Sequence, residues 1–214
     1  MEELHRRLFK AKARAERTMA VLIAGVPGSG KTHLARQYVF AQRECYSGGI
    51  FWVDAKSREA AFKCFWEIAQ AATLMDPKKA QDPKYQESGT YVDAVRNWLQ
   101  SRHEWLLVFD GITFDHDEDI NKFRPFLPWN TRCSIIYTSI DSTLRKKQRL
   151  FEPYCLSVPR LKVEDACSLL SKDLGTRRPT AEQASKAKER VEHYECLPLA
   201  IHAIGPRLNA TGRP

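Results

Sequence analysis

The eight residues GVPGSGKT, Gly25 to Thr32, follow directly on the apolar run MAVLIA at residues 19–24. Few junctions restrict a fold more. The stretch matches G-x-x-x-x-G-K-[ST] in full through Gly25, Gly30, Lys31 and Thr32. Glycines let successive backbone N–H groups turn inward around an oxyanion, and the helix that follows adds the positive end of its dipole. The Lys31 ammonium suits the outer phosphates and the Thr32 hydroxyl suits a magnesium ion. At an average glycine usage of about 7%, a chance match in a chain of this size is on the order of one in a hundred. The preceding strand-like run and the following helix-periodic run lower that further. A buried strand is therefore expected to end in a phosphate-binding corner made of Gly25, Val26, Pro27, Gly28, Ser29, Gly30, Lys31, Thr32 and His33.

Downstream, strand-like and helix-periodic stretches alternate, the pattern of a parallel sheet with crossover helices. Strands are expected at 20–25, in GGIFWVDA (48–55), WLLVFD (105–110), SIIYTS (134–139) and YCLSV (154–158). Helices are expected over 2–17 and 31–43, in the segment spacing Phe62, Phe65, Ala69 and Ala72, and in TYVDAVRNWLQSR, with a polar loop at 76–88. After Pro159 the alternation gives way to consecutive helices. Val163, Ala166, Leu170 and Leu174 line one face that Gly175 can terminate, and Thr180 with Gln183 forms a capping box for a helix whose apolar side holds Ala184, Ala187 and Val191. A last helix begins near LPLAIHAIG, and the terminal NATGRP is expected to fray. The expected organisation is an N-terminal helix or linker at 1–17, an α/β nucleotide-binding domain at 18–158 and an incomplete helical lid at 159–214.

A phosphate clamp needs a carboxylate at a neighbouring strand end, and WLLVFD supplies Asp110. Thr138 and Ser139 end another strand at the edge where ligands of open α/β sheets bind. Their hydroxyls either meet the terminal phosphate or the attacking water, or cap the next helix.

The chain carries 34 Lys and Arg against 26 Asp and Glu, a net charge of +8. The basic runs RRLFKAKARAER, LRKKQR and GTRR show no aromatic stacking pattern, so they are taken as solvated helix faces and nucleic acid is set aside as a partner. Six cysteines, none at metal-ligand spacing, are expected as reduced thiols in the cytoplasm, where the sequon at Asn209 has no meaning. The eight-residue apolar run at 19–26 is too short to span a bilayer, and no membrane association is expected.

Taken together these motifs resemble the NB-ARC family of STAND P-loop NTPases, from about residue 18 to 208. GVPGSGKTHLARQYV resembles the family's Walker A segment, WLLVFDGI its Walker B, SIIYTSID its sensor strand and YCLSVPRLKVEDACSLL the lead into its lid. CLPLAIHAIG is similar to its GLPLA motif, and FWVDA and TLRKKQRLFEPYCLSV look most like fungal NOD-like receptors. The resemblance implies a five-stranded parallel sheet of order 5-1-4-3-2 between helices, followed by a helical lid. It assigns Lys31 and Thr32 to phosphate and Mg²⁺, Asp110 to the metal, and Pro198 to the adenine or ribose. Pro198 is equally suited simply to start a helix.

Three departures bear on turnover. Many members have a second acid after the Walker B aspartate, where this chain has Gly111; the sensor arginine is replaced by Ile140; and LHRRLFKAKARAER lacks the Gly-Arg pair that helps hold adenine. Losing a general base typically costs about 10²–10⁴-fold in rate. Asp115, Asp117, Glu118 and Asp119 are the nearest substitutes. The resemblance thus implies a Mg²⁺-dependent ATP/ADP switch with slow or absent hydrolysis. Its nucleotide would bridge core and lid and control self-association, in company with effector or sensor domains of a larger receptor acting in innate immunity, programmed cell death or incompatibility. The rivals are a nucleotide-stabilised oligomerisation scaffold without turnover and an AAA+-like DNA-associated ATPase.

Overall fold

A computed structural model describes residues 1–10, 17–75, 89–129, 131, 133–175 and 180–211, with the backbone alone for 206–211. Residues 11–16 of the expected first helix and the expected loop at 76–88 lie outside the described residues. The chain divides into two compact units, one of Met1–Ala24 with Thr32–Ser157, the other of Gly25–Lys31 with Val158–Pro214.

In the first unit, strands β1 (Met19–Ala24), β2 (Gly49–Asp54), β3 (Trp105–Asp110), β4 (Ser134–Ser139) and β5 (Tyr154–Ser157) form one sheet of order β2-β3-β4-β1-β5. Every neighbouring pair is parallel. This is the order 5-1-4-3-2 read from the other edge. β1, β3 and β4 are buried almost throughout, which is why they read as continuous apolar runs rather than alternating ones.

Helices α1 (Glu2–Leu8), α2 (Lys31–Gln42), α3 (Arg58–Ala71), α4 (Thr90–Gln100) and α5 (Asp117–Phe123) accompany the sheet. Ser57 caps α3 by accepting from Ala60 N, and α3 turns Ala61, Phe65 and Ala69 inward. These pack in one core with Leu22, Val53, Leu107, Phe109, Ile135 and Tyr137, and with Val95 and Leu99 of α4 and Phe123 of α5. The alternate strand residues Val21, Ile23, Leu106, Val108 and Ile136 are also buried and face the other side of the sheet. There Ser134 Oγ donates to Leu8 O of α1 at 2.9 Å, and Tyr38 of α2 shares a 2.8 Å hydroxyl contact with Tyr46.

The second unit is helical. Its helices α6 (Val163–Asp173), α7 (Ala181–His193) and α8 (Pro198–Thr211) enclose a small core of Ala166, Leu170, Val191, Cys196 and Ile201. The capping box is present: Thr180 Oγ1 accepts from Gln183 N at 3.3 Å and Gln183 Oε1 accepts from Thr180 N at 2.9 Å. Two details differ from the sequence expectation. Ala184 is exposed, since one turn of α7 outlasts the small core beneath it, and α8 continues through Thr211, so Asn209 to Thr211 are helical rather than frayed. All six cysteines are free thiols. Among the described residues, no helix is long and apolar enough to cross a membrane.

Trp105 anchors the larger core. It is fully buried, and its indole Nε1 donates to Leu99 O at 2.8 Å, tying the start of β3 to the end of α4. Trp105→Ala is expected to cost roughly 3–5 kcal/mol in chemical denaturation, with Trp105→Phe recovering most of that loss.

Candidate functional site

The parallel register sets the carboxyl ends of the central strands side by side: Ile23 pairs with Thr138, Ala24 with Ser139, and Phe109 with Tyr137. Asp110 and Thr138 thereby become neighbours. Asp110, only 6% exposed, accepts on Oδ1 from Thr138 Oγ1 at 2.6 Å and from Thr32 Oγ1 at 2.8 Å. The Thr138 hydroxyl in turn accepts from Gly111 N at 2.8 Å. One carboxylate oxygen thus joins the first turn of α2 to the ends of β3 and β4.

Ser139 does different work. Its Oγ donates to Ile112 O at 2.7 Å and accepts from Asp141 N at 3.0 Å, so the hydroxyl is spent on a turn. Ile140 beside it is 57% exposed.

The Gly25–Lys31 segment belongs to the helical unit. Gly28 and Gly30 hold φ of 78° and 94°, in the left-handed region that glycine enters at little cost. A Cβ at Gly25 would lie 2.7 Å from Val158 O, which keeps a side chain out of that position. Lys31 Nζ donates to Gly25 O and Val26 O, each at 2.9 Å, and so folds back over its own loop. Ser29 Oγ is buried with no hydrogen-bond partner among the described residues. Val26 and Pro27 are exposed, as is His33 on α2. Pro198 opens α8, and the next residue, Leu199, donates its N–H to Gly28 O at 3.3 Å.

This donor set fits a polyphosphate: a glycine-rich turn, an orphan hydroxyl, one ammonium and no acid within the loop. Among the described residues no group of three or more His, Cys, Asp or Glu is placed to hold a metal. A divalent ion beside Thr32 and Asp110 would take most of its ligands from water and phosphate, the habit of magnesium.

Gly111, already noted in the sequence, and Lys56 and Cys196, which sequence reasoning did not single out, shape the site. Gly111 has φ of 85°, and a Cβ there would meet Lys56 Cγ at 2.7 Å, so the position after Asp110 is closed to an acid by both backbone and neighbour. Lys56 is placed there because Ala55 N donates to Asp110 O at 2.9 Å, continuing the β2–β3 ladder by one residue. Cys196 stands where the similar motif has glycine, yet holds φ of 54°. The strain is local: its N–H reaches Val191 O at 2.8 Å and its carbonyl accepts from Leu161 N at 3.2 Å. Two of the four acids offered as substitutes for a second Walker B carboxylate are engaged elsewhere. The Lys147 ammonium, 2.6 Å away, holds Asp117 below the usual carboxylate range, and Lys122 at 3.0 Å together with the His116 N–H does the same for Asp119.

Replacing Thr138 by valine removes the hydroxyl from a buried carboxylate and leaves Gly111 N with a longer, 3.2 Å bond to Thr138 O. Hydrogen bonds to charged acceptors contribute about 1.5–3 kcal/mol, so Thr138→Val is expected to lower the unfolding free energy by about 2 kcal/mol in urea titration, whereas Thr138→Ser retains most of it.

The NB-ARC domain model matches residues 1–179. No curated protein matches the chain. Among solved structures, a STAND signal transduction ATPase with a tetratricopeptide repeat sensor from Pyrococcus horikoshii aligns at 15% identity and a TM-score of 0.51, over 94% of this chain and 28% of that one. Drosophila ORC bound to DNA aligns at 17% identity and 0.49, over 99% and 58%, and the ORC1 protein of Aeropyrum pernix in complex with DNA at 14% and 0.48, over 96% and 62%. The chain therefore spans less than two thirds of the length of each of these structures. The expectation that nucleic acid is no partner is withdrawn. Its physical basis was too narrow, because the fold brings aromatic rings to basic side chains: Arg7 of the first basic run lies 3.9 Å over Tyr154, and outside the runs Arg102 lies 4.8 Å over Trp98, Arg124 4.9 Å over Trp129 and Arg36 5.6 Å over Trp52. The glycine loop, the Asp110 pairing, the strand order and the family match together identify the chain as a member of the NB-ARC family of STAND P-loop NTPases, a fold capable of nucleotide-driven oligomerisation.

Proposed function

We propose that this chain is a Mg²⁺-dependent adenine-nucleotide-binding module whose bound nucleotide stabilises self-association with little or no turnover. The observation that carries the proposal is the Asp110 carboxylate held by both Thr32 and Thr138 directly after a glycine loop with two left-handed glycines. In this proposal the loop N–H groups and Lys31 grip the phosphates, Thr32 and Asp110 hold the magnesium through hydroxyl, carboxylate and water, and Pro198 borders the base or ribose. The nucleotide supplies the polyphosphate bridge and its metal; the protein supplies the cradle. Low turnover is supported by Gly111, whose backbone and Lys56 neighbour leave no room for a second acid, and by Ile140 in the place of a cationic sensor. Asp117 and Asp119, tied to lysines, do not compensate. A role in innate immunity, programmed cell death or incompatibility of the fungal NOD-like-receptor kind belongs to the same proposal, with the family membership as its support.

A second reading, a DNA-associated ATPase, is favoured by one observation, the net charge of +8. It calls for binding that falls steeply with salt.

Titration calorimetry with ATP or ADP and magnesium tests the first reading. Uptake is expected in the wild type. Lys31→Ala should weaken it by about 10–100-fold, the loss of charge-assisted bonds to phosphate. Phosphate release should stay near background in both. Lys31-dependent steady turnover would refute the non-hydrolysing scaffold, and salt-sensitive DNA binding in a filter assay would favour the second reading.

A further inference from the structure

The outer face of α2 carries a stripe that nothing in the phosphate site uses. Arg36, Phe40 and Arg43 recur at i, i+4 and i+7, hence on one side of the helix and its continuation, while Ala35 and Tyr38 take the buried side. Phe40 is 69% exposed, with the Arg43 guanidinium 5.1 Å from its ring, and the Arg36 guanidinium lies 5.6 Å over the ring of Trp52 on the edge strand β2. After Lys31, α2 has no lysine and no acid. An exposed aromatic between two arginines, backed by a tryptophan, has the make-up of an interface centre, where aromatics and arginine are enriched and lysine depleted.

A complementary surface lies on the same unit. Asp115, Asp117, Glu118 and Asp119 run into α5; Asp117 and Asp119 pair with Lys147 and Lys122, while exposed Asp115 and Glu118 make no ion pair among the described residues. The layers keep the two surfaces apart. Val53 shares a core with Phe123 of α5, whereas Trp52, the next residue along β2, points to the opposite side, where Arg36 covers it. The arginine stripe and the acidic segment therefore occupy opposite faces of one sheet and cannot meet within a copy. Between copies they match in charge, head to tail.

We propose that the Arg36–Phe40–Arg43 face docks on the Asp115–Glu118 segment of a second copy of this chain, which rests on the nucleotide-driven association proposed above. A nucleic-acid platform is disfavoured here because the stripe offers two cations and ends at the acidic Glu44.

The test uses the full chain with Mg-ATP or Mg-ADP, light scattering coupled to size exclusion for association, and calorimetry for nucleotide. A basic-face variant, Phe40→Ser with Arg43→Glu, and an acidic-face variant, Asp115→Lys with Glu118→Lys, should each bind nucleotide as the wild type does. Each alone should self-associate at least about tenfold more weakly. An equimolar mixture of the two should restore a hetero-dimer, since one copy keeps an intact acidic segment and the other an intact stripe. Unchanged association in either variant, a mixture that stays monomeric, or a wild type that takes up nucleotide yet stays monomeric at about 0.1 mM overturns the proposal. So does a basic-face variant that associates normally but loses DNA binding. Failure of nucleotide uptake in the wild type instead sinks the proposed function, and the variants' association without nucleotide then decides the interface by itself.

Discussion

A single buried carboxylate organises the chemistry of this protein. Asp110 ends β3 in a nearly solvent-free position, and a charge there is tolerated only because hydroxyls from two other elements point at it. Thr138 brings β4 to it, and Thr32 brings the first turn of α2. The same oxygen that needs those donors also ties the first turn of α2 to the ends of β3 and β4. Stability and ligand chemistry are therefore set by one geometry, and the surrounding strands are buried on both faces to hold it.

The neighbourhood of that carboxylate is what supports the proposal of low turnover. A P-loop site hydrolyses quickly when a base or a polarising cation stands beside the terminal phosphate. Here the residue after Asp110 is a glycine in the left-handed region with a lysine stem against it, and the position after Ser139 is an isoleucine facing solvent. Two of the nearby acids, Asp117 and Asp119, are drawn into ion pairs, and Asp119 also into a helix cap. Tyr137, next to Thr138, is a further group taken out of play: its burial pushes the phenol far up, so it stays neutral. A slow site would suit the proposed self-association, because occupancy would then outlast encounter.

The surface tells a complementary story. Some of its arginine–aromatic pairs join residues far apart in the sequence, such as Arg7 with Tyr154 and Arg36 with Trp52. Runs of basic residues do not forecast them. The sandwich of helices around a parallel sheet distributes charge by layer, so a stripe on α2 and an acidic segment before α5 are held on opposite sides by architecture rather than by proximity in the chain.

The sequence by itself determined whatever depends on contiguous residues. The Gly25–Thr32 loop, the apolar runs of β1, β3 and β4, the Thr180–Gln183 cap and the succession of helices after Pro159 are all local patterns whose physics is complete within a few residues. Only the tertiary structure decided which hydroxyl met Asp110, that Ser139 was spent on a turn, that Lys56 lay over Gly111, and that Cys196 accepted a left-handed backbone. Those outcomes follow from strand register and helix packing. They pair residues tens of positions apart, through contacts whose energy exists only once the chain has closed around them.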